Sequence, residues 1–378
     1  MSAPAQQDAP RPAGDASSGP GLLARATRHR LFWPLVALVL LLLANTLRAP
    51  DFLAVEVRDG ALYGAPINIL RNGSSLLLVS LGLTLVIATR GIDLSVGAVI
   101  AISGAVSTAW IAGSPDPGSP ATVLVAVLLA IVLCGVLGAW NGFLVSVLGI
   151  QPIIATLVLL TAGRGVAMLI TGGMITTVTS PPFRQIGGGH LLGVPVPVVI
   201  AAVVLVVLIV LTRRTALGVL IESVGINPSS SRLAGVRARG LVWTVYVISA
   251  VLAGIAGLII ASTTMAADAN NAGLFIELDA ILAVVIGGTL LSGGRFSLMG
   301  TVVGVLVIQT LTLSVTVLGI PPSVTPLFKA VVVIVVVLAQ SPKGRTLLAA
   351  RRRRRPAAAA PATAGAPGAT TQKETVSR

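Results

Sequence analysis

The chain has 378 residues, of which 55% are hydrophobic and only 10% charged, and its mean hydropathy is +0.97. Soluble domains carry ~25% charged residues because their surfaces must be solvated, so a soluble globular enzyme is excluded. A formal net charge of +14 would suggest a nucleic-acid partner in a soluble protein, but here the basic residues are few and localised, and their placement matters more than their sum.

Residues 1–30 read as a disordered segment: the first 24 are rich in Ala, Pro, Gly and Ser, and Arg25, Arg28 and Arg30 follow. A secretory signal peptide fits poorly, because the first apolar run starts late and no small-residue cleavage pattern follows it. Apolar runs near the ~20 residues that a bilayer span requires lie at about 31–47, 67–89, 94–112, 121–148, 153–170, 194–212, 241–262, 278–292, 298–318 and 324–340. The expected fold is therefore an all-α membrane protein of about ten transmembrane helices, with a membrane domain over 31–340 and a basic, disordered tail over 341–378. Lys and Arg in short loops mark the cytoplasmic side. The N-terminal flank, the stretch from Arg213 to Arg239 and the tail from Lys343 are basic, whereas Asp51, Glu56, Asp59, Asp116, Asp268 and Glu277 lie in the other connections. Ten spans with both termini cytoplasmic satisfy this distribution, with Arg184 in an outer loop against it.

Asp93 sits in Thr89-Arg90-Gly91-Ile92-Asp93-Leu94-Ser95-Val96-Gly97, between the second and third spans. One reading is a helix break that lines or gates a pathway. The other, favoured because the chain must turn here anyway, is a junction where Asp93 caps the next helix and Arg90 neutralises it. The spacing G-x-x-L-S-x-G recurs at Gly288–Gly294, which suggests a weak internal repeat. Asn141, Gln151 and Arg164 are isolated polar residues in or near spans four and five, where a helix–helix hydrogen bond is the commoner role. Over 213–240, Asn227-Pro228 starts a helix and Gly235 stops it, which predicts one short helix of about seven residues, Pro228–Ala234. It is either a docking element for a soluble motor or an ordinary amphipathic surface helix. Asn270 and Asn271, followed by Glu277 and Asp279, form an outer entrance whose amides and carboxylates suit sugar hydroxyls, although turn chemistry explains Asn and Asp there equally well. Lys329 is expected to snorkel to the surface. Arg351 to Arg355 reads as a stop-transfer anchor on anionic lipid rather than a nucleic-acid patch.

Catalytic chemistry is not evident. The chain has no Walker loop, no H-E-x-x-H, no G-x-S-x-G and a single cysteine, Cys134, so neither nucleotide cradling nor a disulfide framework is available. His29 and His190 lie far apart and make no metal constellation.

Several stretches resemble the permease subunits of bacterial ribose-type ABC sugar importers. They are Ala88–Gly97, Asn141–Val145, Ala280–Gly288 and the inner loop from Ile221 through Val236. The neighbourhoods Ala267–Asp279, Gln151-Pro152 and Ala162–Ala167 resemble galactofuranose importer permeases most closely. The resemblance covers about residues 60–340 and implies a non-catalytic subunit of the bacterial inner membrane. It also implies a separate ATPase subunit that uses ATP and Mg, an extracytoplasmic sugar-binding protein, and a second permease copy or paralogue. Membrane lipid is the remaining partner, and nucleic acid is not one. The resemblance further implies that a loop carrying Glu222, Gly225, Asn227, Arg232 and Gly235 docks in the ATPase; Ser230-Ser231 replaces the Ala-Ala pair of many relatives. Asp93, Asn141, Gln151, Arg164, Asn270, Asn271, Glu277 and Asp279 are the candidate pathway residues. An ion-coupled secondary sugar transporter and a non-transporting scaffold are the alternatives.

Overall fold

The computed structural model describes residues 31–340; the expectations for 1–30 and for the tail, including the arginine anchor, lie outside them. Among the described residues there are thirteen α-helices: α1 (Phe32–Arg48), α2 (Ala65–Ala88), α3 (Val96–Ala112), α4 (Pro120–Ser146), α5 (Pro152–Thr171), α6 (Pro181–Gly188), α7 (Val196–Arg214), α8 (Leu217–Ile226), α9 (Pro228–Leu233), α10 (Ala238–Thr264), α11 (Ile276–Ile286), α12 (Leu298–Val317) and α13 (Thr325–Gln340). Three two-stranded pairs decorate the loops: β1 (Glu56–Arg58) with β2 (Ala61–Tyr63), β3 (Thr176–Thr177) with β6 (Ala266–Ala267), and β4 (His190–Leu191) with β5 (Val194–Pro195). The chain is an all-α membrane protein. Proline occupies the first turn of α2, α4, α5, α6, α7 and α9, where its missing N–H costs nothing.

Each of the ten predicted spans contains a helix, and among the described residues α2, α4, α5, α7, α10 and α12 have the length and apolar character to cross a bilayer, the other apolar helices being 17 residues or shorter. The 278–292 expectation needs correction. Helix α11 has 11 residues, about 16 Å of rise against a hydrocarbon core of about 30 Å. It stops where Gly287-Gly288 lets the chain turn away, with Gly288 at φ +88.

Helices α2 and α10 form the centre: 78% and 67% of their apolar windows are buried, against 28%, 28% and 22% for α4, α5 and α7. The outer helices keep apolar residues turned outward, as lipid-facing segments do. Helix α10 packs against α4, α3 and α2 through small residues. A Cβ on Gly138 of α4 would lie 2.6 Å from Ala250 Cβ and 2.8 Å from the Tyr246 carbonyl oxygen. Such close backbone approach is how membrane helices gain van der Waals contact where the solvent itself is apolar.

Contacts sort the loops into two ends. At one end Gly193 accepts from the Leu62 amide, Val178 N donates to Met265, and β3 pairs with β6. At the other, Gly294 N donates to Ala88, and the α2–α3 junction, α8 and the α11–α12 junction meet. The five arginines between 213 and 239 belong to this second end, which α7 leaves and α10 enters.

Candidate functional site

Polar groups gather in three places. The first is the buried junction between α2 and α3. Asp93, 1% exposed, accepts from the Ser95 amide (3.0 Å), Ser95 Oγ (2.6 Å) and Ser249 Oγ of α10 (3.2 Å). Asn141 of α4 donates through Nδ2 to Ser95 Oγ at 2.9 Å, so one network stitches α3, α4 and α10. The expectation that Arg90 neutralises Asp93 is wrong. The Arg90 guanidinium turns away and donates instead to the Gly225 and Ile226 carbonyls at the end of α8. A sealed carboxylate held by hydroxyls and an amide, at the start of a helix whose dipole favours negative charge, reads as a keystone of packing.

The second place is the connection between α10 and α11. Arg164 of α5 donates to the carbonyls of Ala269 (3.1 Å), Asn270 (3.3 Å) and Ala272 (2.7 Å). Glu277, in the first turn of α11 and 7% exposed, puts Oε2 2.6 Å from the point where a Gly97 Cβ would stand; Arg164 Nη2 is 3.6 Å from that point. Charge of both signs therefore converges on the first turn of α3, which only glycine leaves open. At the mouth, Asp268 accepts from the Asn270 and Asn271 amides and from Asn271 Nδ2 at 2.7 Å. The Asn271 side chain, with help from those two amides and Arg164, holds the Asp268 carboxyl below its usual range. Turn chemistry accounts for these contacts, and the Asn270 and Asn271 side chains remain exposed.

The third place is a cavity of about 250 Å³ between α2, α10, α11 and α12, into which Arg71, Asn72, Ser75, Thr263, Asp279 and Gln309 project. Behind it, Lys329 of α13 donates to Asp279 Oδ2 at 2.6 Å, with side chains 14% and 28% exposed. Lys329 is therefore ion-paired with α11 rather than free as expected. An ammonium at depth is costly without a partner, and α11 supplies one. Arg71 and Gln309 escaped the sequence reading, and Lys329 was read without its partner, although a lone Lys in an apolar run is itself a signal that a counter-charge is near.

Of the predicted residues, Arg164, Asn270 and Glu277 come together; Asp93 and Asn141 share the keystone network. Asp279 faces the cavity. Gln151 is exposed at the start of α5.

At the other end, Asn227 Oδ1 accepts from Ser230 N at 3.0 Å and Gly235 adopts φ +84, so α9 starts and stops on the predicted residues and is six long rather than seven. Gly225 packs so tightly that a Cβ would strike the Ala88 carbonyl oxygen and lie 2.5 Å from Gly294 N. Glu222 and Arg213 line a cleft of about 430 Å³ with Phe296 and Ser297 of the α11–α12 junction. Arg232 lies on the exposed side of α9.

A family profile described as "branched-chain amino acid transport system / permease component" matches residues 65–338. The chain is 50% identical over 312 residues to the galactofuranose transporter permease protein YtfT of Escherichia coli (strain K12), covering 81% of this chain and 89% of that one. It is 38% identical over 322 residues to the fructose import permease protein FruF of Bifidobacterium longum (strain NCC 2705), covering 84% and 89%. To the ribose import permease protein RbsC of Escherichia coli (strain K12) it is 35% identical over 302 residues, covering 79% and 89%. No solved structure matches the chain.

Proposed function

The chain belongs to the branched-chain amino acid transport system / permease component family, and we propose that it is the membrane permease of an ABC importer whose cargo is a monosaccharide, galactofuranose in the first instance. The observation that carries the reading is the cavity bearing Asn72, Ser75, Thr263, Asp279 and Gln309. Amide, hydroxyl and carboxylate groups line this half-open cavity, with Asn72 and Thr263 exposed at its mouth. They can exchange hydrogen bonds with a polyol: Lys329 neutralises Asp279, and the Arg71 guanidinium, which donates to the Gly187 carbonyl at 3.2 Å, adds a charged donor at the rim. The similarity to sugar permeases named for galactofuranose, fructose and ribose supports the substrate class.

On this reading an extracytoplasmic binding protein delivers the sugar at the end bearing Asn270 and Asn271. The sugar then passes Arg164 and Glu277. A separate ATPase, using ATP and Mg, docks on α8–α9 at the other end, which is cytoplasmic, as are both termini. The chain supplies no hydrolytic step. It forms a pair with a second permease in the bacterial inner membrane.

The test is reconstitution in liposomes with the cognate ATPase and binding protein, followed by uptake of labelled galactofuranose, ribose and fructose. ATP-dependent uptake only with all partners present, fastest for galactofuranose, is expected. Uptake by the chain alone, driven by an ion gradient, would instead establish secondary transport. Asp279→Asn should reduce uptake more than it reduces assembly.

A further inference from the structure

Helix α2 ends in a Schellman motif. The Arg90 amide donates to Ile87 and the Gly91 amide to Val86, and Arg90 takes the left-handed position at φ +67. Glycine is the usual occupant of that position because a Cβ there crowds the following carbonyl oxygen. A long side chain held in an unfavoured backbone state calls for a compensating contact, and the contact is plain. Arg90 Nε donates to the Gly225 carbonyl at 2.6 Å and Nη2 to the Ile226 carbonyl. Both carbonyls lie in the last turn of α8, where no intrahelical donor reaches them and where the dipole favours a cation. The same α2 terminus is tied twice more: the Ala88 carbonyl accepts from Gly294 N at 2.8 Å, and Gly225 lies against that carbonyl with no room for a Cβ.

We infer that Arg90 is a positioning residue that fastens the C-terminus of α8 to the C-terminus of α2, so that displacement of α8–α9 is carried directly into α2. Helix α2 also lines the polar cavity through Arg71, Asn72 and Ser75, so a single rigid helix runs from the latch to the proposed sugar site. The inference rests on the reading of α8–α9 as the docking element, but the latch itself does not.

Two measurements separate the two. Arg90→Gly suits the backbone and removes the side chain, so any loss it causes is not strain. Amide exchange at Gly225–Asn227 in the purified full chain should quicken about tenfold in Arg90→Gly, the scale of one charge-assisted hydrogen bond, and should recover in part in Arg90→Lys. Unchanged exchange would remove the latch. In the reconstituted importer, ATP hydrolysed per sugar imported should rise about tenfold in Arg90→Gly and fall back toward the wild-type ratio in Arg90→Lys. A ratio unchanged from wild type, including a proportional fall of both activities, would overturn the transmission role. Absence of ATP-driven uptake by the wild-type importer would refute the permease reading, and the exchange measurement would still decide the latch.

Discussion

Single residues at depth in this bundle are explained by their partners. Lys329 and Asp279 form a partly buried ion pair joining α13 to α11. Removing one member leaves the other charge uncompensated, whereas removing both restores neutrality. Lys329→Met alone should therefore destabilise the detergent-solubilised protein more than the double variant Lys329→Met/Asp279→Asn does. A thermal-unfolding cycle should give a coupling of about 1–3 kcal/mol; additivity would mean that the pair contributes nothing. Asn227 offers a second case at this scale. Its side chain caps α9, so Asn227→Ala should cost about 1 kcal/mol locally, read as faster exchange over Pro228–Leu233. Uptake should fall while the membrane core keeps its melting temperature. A fall in melting temperature with no change in exchange over α9 would contradict the assignment.

At the scale of elements, the helices were legible because each apolar run is long and bounded by Pro or Gly, and all ten runs became helices. The 278–292 run was legible as a short one, but not where it stops: hydropathy continues past Ile286 through Leu290 and Leu291, and the turn at Gly287-Gly288 ends the helix. The cap and stop of α9 were readable residue by residue, since Asn-Pro and Gly act locally. The Arg90–α8 contact and the Lys329–Asp279 pair were not, because they join residues 135 and 50 positions apart. Packing between elements makes its own prediction. Gly138→Ala would drive a methyl into Ala250 and the Tyr246 carbonyl at the α4–α10 crossing, costing about 1–3 kcal/mol. Gly165→Ala on α5, with open space around its Cβ position, should be neutral or stabilising by about 0.5–1 kcal/mol. Equal melting temperatures for the two variants would show that α4 and α10 do not meet through small residues.

For the molecule as a whole, the distribution of charge predicts a direction. The basic loop between Arg213 and Arg239 shares one end of the bundle with Arg90 and Arg295, while Asp51, Glu56, Asp116 and Asp268 lie toward the other. Positive loops stay on the cytoplasmic side during insertion, so the α8–α9 end should face inward. The chain suits a direct test, because Cys134 is buried and leaves a background without a reactive surface thiol. Leu192, 97% exposed beside β5, and Leu233, 91% exposed at the end of α9, sit at opposite ends. A membrane-impermeant maleimide should label Leu192→Cys in intact cells and Leu233→Cys only after permeabilisation. The reverse pattern would turn the molecule over. It would place α8–α9 outside, out of reach of any cytoplasmic ATPase, and the docking assignment would fall with it.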